Sequence, residues 1–217
     1  MEYNDIEFKW LGHDGYKIEF NNKIIYIDPY KISERYHSKY DGDIILISHD
    51  HFDHLSFQDL KHLASNNTQL FVARECIEKL ENEGFNKITS LEPFQKIKYN
   101  YLDLEALPAY NINKNFHPKN DNKLGFMITI NNTRIYHCGD TDAIPEMSGL
   151  NPDIAFVPVS GTYVMTAEEA AKAVNELIRP SKMAIPMHYG SIVGNLEDAI
   201  KFKEMTNICE VRILERE

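Results

Sequence analysis

Ser48-His49-Asp50-His51-Phe52-Asp53-His54 follows directly on the apolar run Ile44-Ile45-Leu46-Ile47, and the reading of this stretch decides the fold. A short continuous apolar run bounded by polar residues reads as a buried strand. A strand that ends in such a knot presents several metal ligands from one tight loop. His49 and His51 are two apart and can point the same way, while Asp53 and His54 lie round the bend and can serve a second ion. That is the pattern of a two-metal site. Neutral imidazoles with carboxylates suit zinc first, with manganese or iron as alternatives. A solvated polar loop would account for one or two histidines, but not for His-x-His-x-Asp-His behind a buried strand.

These residues resemble the signature of the metallo-β-lactamase superfamily of metal-dependent hydrolases. The likeness extends to His137-Cys138-Gly139-Asp140-Thr141-Asp142 and to Ile185-Pro186-Met187-His188-Tyr189-Gly190. Together with Trp10-Leu11-Gly12-His13, the Gly-Asp-Thr-Asp and Pro-Met-His-Tyr-Gly segments resemble the branch that includes ascorbate-6-phosphate lactonase and the N-acyl-phosphatidylethanolamine phospholipase D enzymes. The match runs from about Trp10 to Gly190. What the resemblance implies is a first metal held by His49, His51 and His117, a second held by Asp53, His54 and His188, and Asp140 bridging the two. It further implies that a water shared by the ions is ionised near neutral pH and attacks a carbonyl or phosphoryl centre. Asp53 and Asp140 are then the catalytic carboxylates, Asp53 steering or accepting a proton.

One ligand position departs from the branch. A histidine commonly follows shortly after a Pro-Ala pair in these relatives, and here Pro108-Ala109 is followed by Tyr110 and Asn111. His117 is the only histidine between His62 and His137. Imidazole is a far better divalent-metal ligand than a carboxamide, which favours His117 over Asn111. Lys114, Lys119 and Lys123 cluster around His117 and would suit an anionic or phosphorylated small substrate, or else belong to a solvated loop. Tyr163 and Tyr189, each beside a candidate turn, can donate hydrogen bonds to substrate. His13 either contacts substrate or satisfies backbone groups near the site.

Composition bounds the rest. With 217 residues, 43% of them hydrophobic, the chain can bury a substantial core, and a single hydrolase domain over 1–217 is expected. The net charge is 23 − 33 = −10, which opposes non-specific binding to nucleic acid or to an anionic membrane. No apolar run reaches the roughly 18 residues of a membrane span, and Met1-Glu2-Tyr3-Asn4-Asp5 lacks signal-peptide form, so a cytoplasmic enzyme acting on a small molecule is expected. Cys76, Cys138 and Cys209 are odd in number and lack zinc-finger spacing. The sequence is compatible with a homo-oligomer.

The pattern along the chain reads as α/β. Strands are expected at 6–10, 16–20, 23–28, 69–73, 87–91, 96–100, 102–107, 182–187 and 208–214. Helices are expected after Ser56, at 74–83, at 166–178 and at 195–205, with a long loop over 29–42. Thr166-x-x-Glu169 is a capping box, followed by apolar residues at helical spacing. Phe20-Asn21-Asn22-Lys23 through Asp28 is echoed by Ile130-Asn131-Asn132-Thr133 through Asp140, and the spacing from Asn21 to Asp43 equals that from Asn131 to Asp153. Read as a duplication, this implies two pseudo-repeated β-rich halves and a four-layer αββα sandwich, the metallo-β-lactamase fold. His51 argues against a diiron oxygen reductase, which places an acid there. The alternatives kept are a phosphodiesterase or nuclease-type activity and a non-catalytic metal-binding module on the same fold.

Overall fold

The structure is a computed structural model that describes every residue from Met1 to Glu217. Its contacts divide the chain into two compact units, Met1–Glu92 with Leu214–Glu217, and Pro93–Ile213. Each is built on one seven-stranded sheet.

In the first unit β1 (Glu2–Tyr3), β2 (Ile6–Gly12), β3 (Gly15–Phe20), β4 (Lys23–Ile27), β5 (Gly42–Ile47), β6 (Ala64–Ala73) and β7 (Lys87–Leu91) lie side by side in chain order. The strands up to β4 pair antiparallel, and β4 to β7 pair parallel. Helices α1 (Phe57–Leu63) and α2 (Cys76–Leu80) lie in the crossovers. Asn21 and Asn22 turn β3 into β4 with φ of 50° and 60°, the left-handed pair that a two-residue type I′ hairpin needs and that asparagine tolerates. The run Ile44 to Ile47 in β5 has no accessible surface, as a central parallel strand requires. Each such side chain contributes about 1.5–3 kcal/mol by leaving water. This burial anchors the polar loop that follows.

In the second unit β8 (Lys96–Tyr99), β9 (Leu102–Pro108), β10 (Leu124–Ile130), β11 (Thr133–His137), β12 (Ile154–Pro158), β13 (Met183–Met187) and β14 (Glu210–Val211) again follow chain order across the sheet. β8 to β11 pair antiparallel and β11 to β14 parallel. Helices α3 (Ala167–Ala173) and α4 (Leu196–Met205) both begin with a complete capping box, at Thr166 and at Asn195.

The internal echo is structural. Asn131 and Asn132 repeat the left-handed pair, with φ of 48° and 60°. Asp43 accepts from the Ile24 amide and Asp153 from the Arg134 amide, both at 2.9 Å. In each unit a carboxylate 19 residues further on therefore pins the strand after the hairpin, and the next strand is parallel to it. In this register Asp28 falls on Cys138, the residue just beyond each strand: the Asp28 amide donates to Leu46 O at 3.0 Å and the Cys138 amide to Phe156 O at 3.1 Å.

Local differences from the sequence reading have identifiable causes. β6 starts at Ala64 rather than Gln69, because Thr68 Oγ1 donates to Gly42 O at 2.5 Å and draws the chain into the sheet early. The last turn of the helix expected to reach Ile178 widens to a π-turn over Val174–Ile178, closed by the Arg179 amide on Val174 O at 3.0 Å, ahead of Pro180. β14 is only Glu210–Val211, after which the tail returns to the first unit, where the Glu217 amide donates to Trp10 O at 2.9 Å. His137 and Cys138 are both buried, although strand alternation suggests that only one faces a core. No helix is long and apolar enough to cross a membrane.

Candidate functional site

In the first unit the loop after β5 gathers its ligand atoms tightly. His49 Nε2 lies 3.0 Å from His51 Nδ1, and Asp53 Oδ2 lies 3.9 Å from His54 Nε2. Asp28 organises them from behind. Its Oδ1 accepts from the Ser48 amide at 2.8 Å, and its Oδ2 accepts from Ser48 Oγ at 2.5 Å and from His54 Nδ1 at 2.9 Å. Because the Ser48 hydroxyl hydrogen goes to Asp28, Ser48 Oγ can only accept from His49 Nδ1, 2.9 Å away. Both histidines therefore carry the proton on Nδ1 and present Nε2 as the basic nitrogen, the arrangement that orients imidazole for a metal. Asp28 is completely buried, with φ of 41°.

His13 sits behind Asp53 rather than at the surface. It is 1% exposed, adopts φ of 52°, and its Nε2 lies 3.0 Å from Asp53 Oδ2, while Trp10 Nε1 donates to its carbonyl at 2.9 Å. The Trp10-Leu11-Gly12-His13 segment thus aims a carboxylate. Asp14, also buried, approaches His54 Nδ1 to 3.9 Å.

In the second unit three side chains converge, His117 from the β9–β10 loop and Asp140 and His188 from just beyond β11 and β13. Asp140 Oδ2 lies 3.3 Å from His117 Nε2 and 3.3 Å from His188 Nε2. All three are nearly inaccessible. Tyr163 O accepts from His117 Nδ1 at 3.2 Å, which again places the proton on Nδ1 and leaves Nε2 facing the carboxylate. His188 Nδ1 lies 2.8 Å from Ser160 Oγ, and His188 itself has φ of 59°, a left-handed conformation that costs free energy unless its surroundings fix it. Gly139 is needed ahead of Asp140, since with φ of 63° a Cβ there would collide with Leu124 O.

The loop that carries His117 is held by the rest of the Gly-Asp-Thr-Asp motif. Thr141 Oγ1 accepts from the Tyr110 amide at 3.2 Å, and Asp142 Oδ2 accepts from the Ile112 amide at 2.8 Å. Asn111 is spent on the same loop: its Oδ1 accepts from the His117 amide at 3.0 Å and its Nδ2 donates to Tyr163 O at 2.9 Å. The carboxamide shapes the turn and the imidazole reaches Asp140.

The lysines around His117 are engaged with acids. Lys114 Nζ lies 2.6 Å from Asp142 and 3.6 Å from Glu169. Lys119 pairs with Glu146 at 2.8 Å and contacts Tyr110 Oη at 3.2 Å. Lys123 is 3% exposed, with Asp121 at 3.7 Å. Tyr189 is buried, and that burial pushes its hydroxyl up to about 12, so it is a neutral phenol at physiological pH. Tyr163 is half-buried and serves the site through its backbone carbonyl.

Sequence reasoning did not find Asp28, Ser48, Asp14, Ser160 or Asp142. Imidazole and carboxylate donors, oriented by protein hydrogen bonds in each unit, are a set that fits a borderline divalent cation.

Comparison with known proteins bears on this arrangement. The family model described as the beta-lactamase superfamily domain matches residues 7–188. A UPF0173 metal-dependent hydrolase of Caldivirga maquilingensis is 31% identical over 208 residues, covering 91% of this chain and 88% of that protein. Another from Staphylothermus marinus is 33% identical, covering 91% and 89%. A solved chain from Parabacteroides distasonis superposes with a TM-score of 0.82 at 31% identity, covering 98% of this chain and 94% of that one. A metallo hydrolase from Ignicoccus hospitalis superposes with 0.80 at 24% identity, covering 97% and 95%.

Proposed function

The chain belongs to the beta-lactamase superfamily and is a metal-dependent hydrolase with that family's α/β fold, and from this premise we propose a dinuclear enzyme that cleaves a small ester, lactone or phosphodiester. His49, His51 and His117 would hold one cation, Asp53, His54 and His188 the other, and Asp140 would bridge them, within a single catalytic domain. Zinc is the favoured metal on donor chemistry, with manganese or iron as alternatives. The branch that includes ascorbate-6-phosphate lactonase and the N-acyl-phosphatidylethanolamine phospholipase D enzymes is part of the same reading.

The observation that carries the proposal is the orientation of the imidazoles. Nδ1 of His54 donates to Asp28, Nδ1 of His49 to Ser48 and Nδ1 of His117 to Tyr163 O. Each ring is thereby held in one tautomer with Nε2 as its donor atom. Bound divalent cations supply Lewis acidity and lower the pKa of a coordinated water.

The chain's own contribution is positional and protonic. Ser48 and Asp28 hold His49 and His54 in one tautomer and aim them. His13 fixes the rotamer of Asp53, whose carboxylate is 13% exposed and therefore reachable by a solvent proton. Asp53 can take a proton from the attacking water and return it to a leaving oxygen. Asp142, Thr141 and Asn111 freeze the loop that delivers His117. The family fold hosts many chemistries, so the bond cleaved is decided by experiment. Turnover of 4-nitrophenyl butyrate, a γ- or δ-lactone panel and bis(4-nitrophenyl) phosphate by the zinc- or manganese-loaded protein tests the proposal. Hydrolysis in one class, abolished by chelation, supports it. Inertness toward all three classes opposes it.

A further inference from the structure

Each cluster of proposed ligands is flanked in the chain by an exposed aromatic residue that no hydrogen-bonding duty explains. In the second unit Phe116 immediately precedes His117, is 49% exposed, and packs edge-on against Tyr163 at 4.6 Å between ring centroids and 88° between planes. Ile112, on the same loop, is 62% exposed. Tyr163 is also the residue whose carbonyl accepts from His117 Nδ1 and Asn111 Nδ2, so the aromatic pair is tied rigidly to the ligand cluster. In the first unit Phe52 stands between His51 and Asp53, is 67% exposed, and packs edge-on against Tyr30 at 5.8 Å. A cleft of about 410 Å³ there is lined by Tyr30, Phe52, Leu55 and Phe57 together with the polar Asp50, Ser56, Gln58 and Lys79.

We propose that Phe116, with Tyr163 and Ile112, is a specificity determinant that docks an uncharged apolar group of the substrate. This rests on the hydrolase reading and deepens it. Singly exposed apolar side chains are ordinary, but an aromatic pair with a neighbouring apolar side chain offers a contact for an apolar group. Their position next to ligand residues identifies the occupant as the substrate. Charge supports the assignment. Lys114 and Lys119 are consumed by Asp142, Glu169 and Glu146, and at the Phe52 cleft Lys79 lies 2.6 Å from Asp50. The cations near the Phe116–Tyr163 pair are thus neutralised, and that surface favours a neutral acyl or aryl group over a phosphate monoester, whereas beside Phe52 the exposed Lys31 ammonium lies 5.1 Å from the Tyr30 ring centroid.

The test is direct binding to the zinc-loaded protein of two unreactive probes, N-hexylbenzamide (uncharged, apolar) and phenyl phosphate (anionic), by calorimetry, with 4-nitrophenyl butyrate turnover in parallel. N-hexylbenzamide is expected to bind more tightly. Phe116→Ala should weaken it about tenfold and Phe116→Leu less, as loss of an aromatic contact implies. Phe94→Ala, an exposed aromatic next to β8 at the sheet edge furthest from β13, should leave it unchanged. Tighter binding of phenyl phosphate, no binding of the amide, or indifference to Phe116→Ala would overturn the proposal, as would a change of sedimenting mass in Phe116→Ala, which would reassign the patch to contacts between copies. Failure of the hydrolase reading is separate: no turnover of any ester, with Phe116-dependent amide binding retained, removes the reaction and leaves the docking surface.

Discussion

His117 Nε2 lies 3.3 Å from Asp140 Oδ2, and the same oxygen lies 3.3 Å from His188 Nε2. Three residues separated by up to 71 positions in the chain thus meet at one carboxylate oxygen, in a place where burial makes repulsion or misalignment costly. The arrangement gives His117 and Asn111 different work, and the predictions begin there.

His117→Ala should lower bound metal from two ions per chain toward one and cut turnover by about a hundredfold or more, since a catalytic ion that loses one of its protein imidazoles is loosely held and misplaced. Asn111→Ala should keep both metals. It removes the hydrogen bonds to the His117 amide and to Tyr163 O, and should cost about 1–3 kcal/mol of stability. Elemental analysis and urea titration of the two variants check this. Two metals in His117→Ala with one in Asn111→Ala would move the ligand role to the carboxamide.

Asp28→Asn keeps the shape of a side chain that accepts from Ser48 and His54 while removing its charge. Outer partners of this kind are worth about 10–100-fold in metal affinity. Chelator competition should therefore show one metal site weakened by that factor. An unchanged affinity would reduce Asp28 to a structural residue of the β4 end.

His13→Gln should lower kcat with little change in metal content, because His13 contacts Asp53 through Nε2 at 3.0 Å and a flexible amide in place of the rigid ring leaves the carboxylate less well aimed. A rise in KM at constant kcat would instead put His13 in contact with substrate, the other role open to it from the sequence.

Much of this was legible in the sequence, for a physical reason. His49, His51, Asp53 and His54 are adjacent in the chain and follow a fully apolar strand, so one local pattern carries both the fold and the candidate ligands. The paired asparagines at 21–22 and 131–132, together with Asp43 and Asp153, made the repeat visible because each does a job set by backbone geometry. What stayed hidden acts across the chain. Asp28 reaches His54 from another strand, and Tyr163 serves His117 through a carbonyl that any residue possesses. The lysines around His117 looked like an anion site because their acids, Asp142, Glu146 and Glu169, lie 27 or more positions away. The widened turn at Val174–Ile178 left no periodicity signal, since the apolar spacing of the preceding helix runs straight through it.

Thr166→Ala removes one half of the capping box of α3, where Thr166 Oγ1 accepts from the Glu169 amide at 3.2 Å and Glu169 accepts from the Thr166 amide at 2.9 Å. The loss should be about 1 kcal/mol in a urea melt, with metal content and turnover intact. A loss of several kcal/mol would mean that the helix end supports more than itself.

Metal stoichiometry measured together with chelator sensitivity is the most direct test of the dinuclear assignment. Protein purified, dialysed and assayed by elemental analysis should carry close to two divalent cations per chain, and its hydrolysis of the best substrate from the ester, lactone and phosphodiester panel should disappear on chelation and return with zinc or manganese. Protein that carries no metal after reconstitution, or that hydrolyses the same substrate equally well in excess chelator, would contradict it.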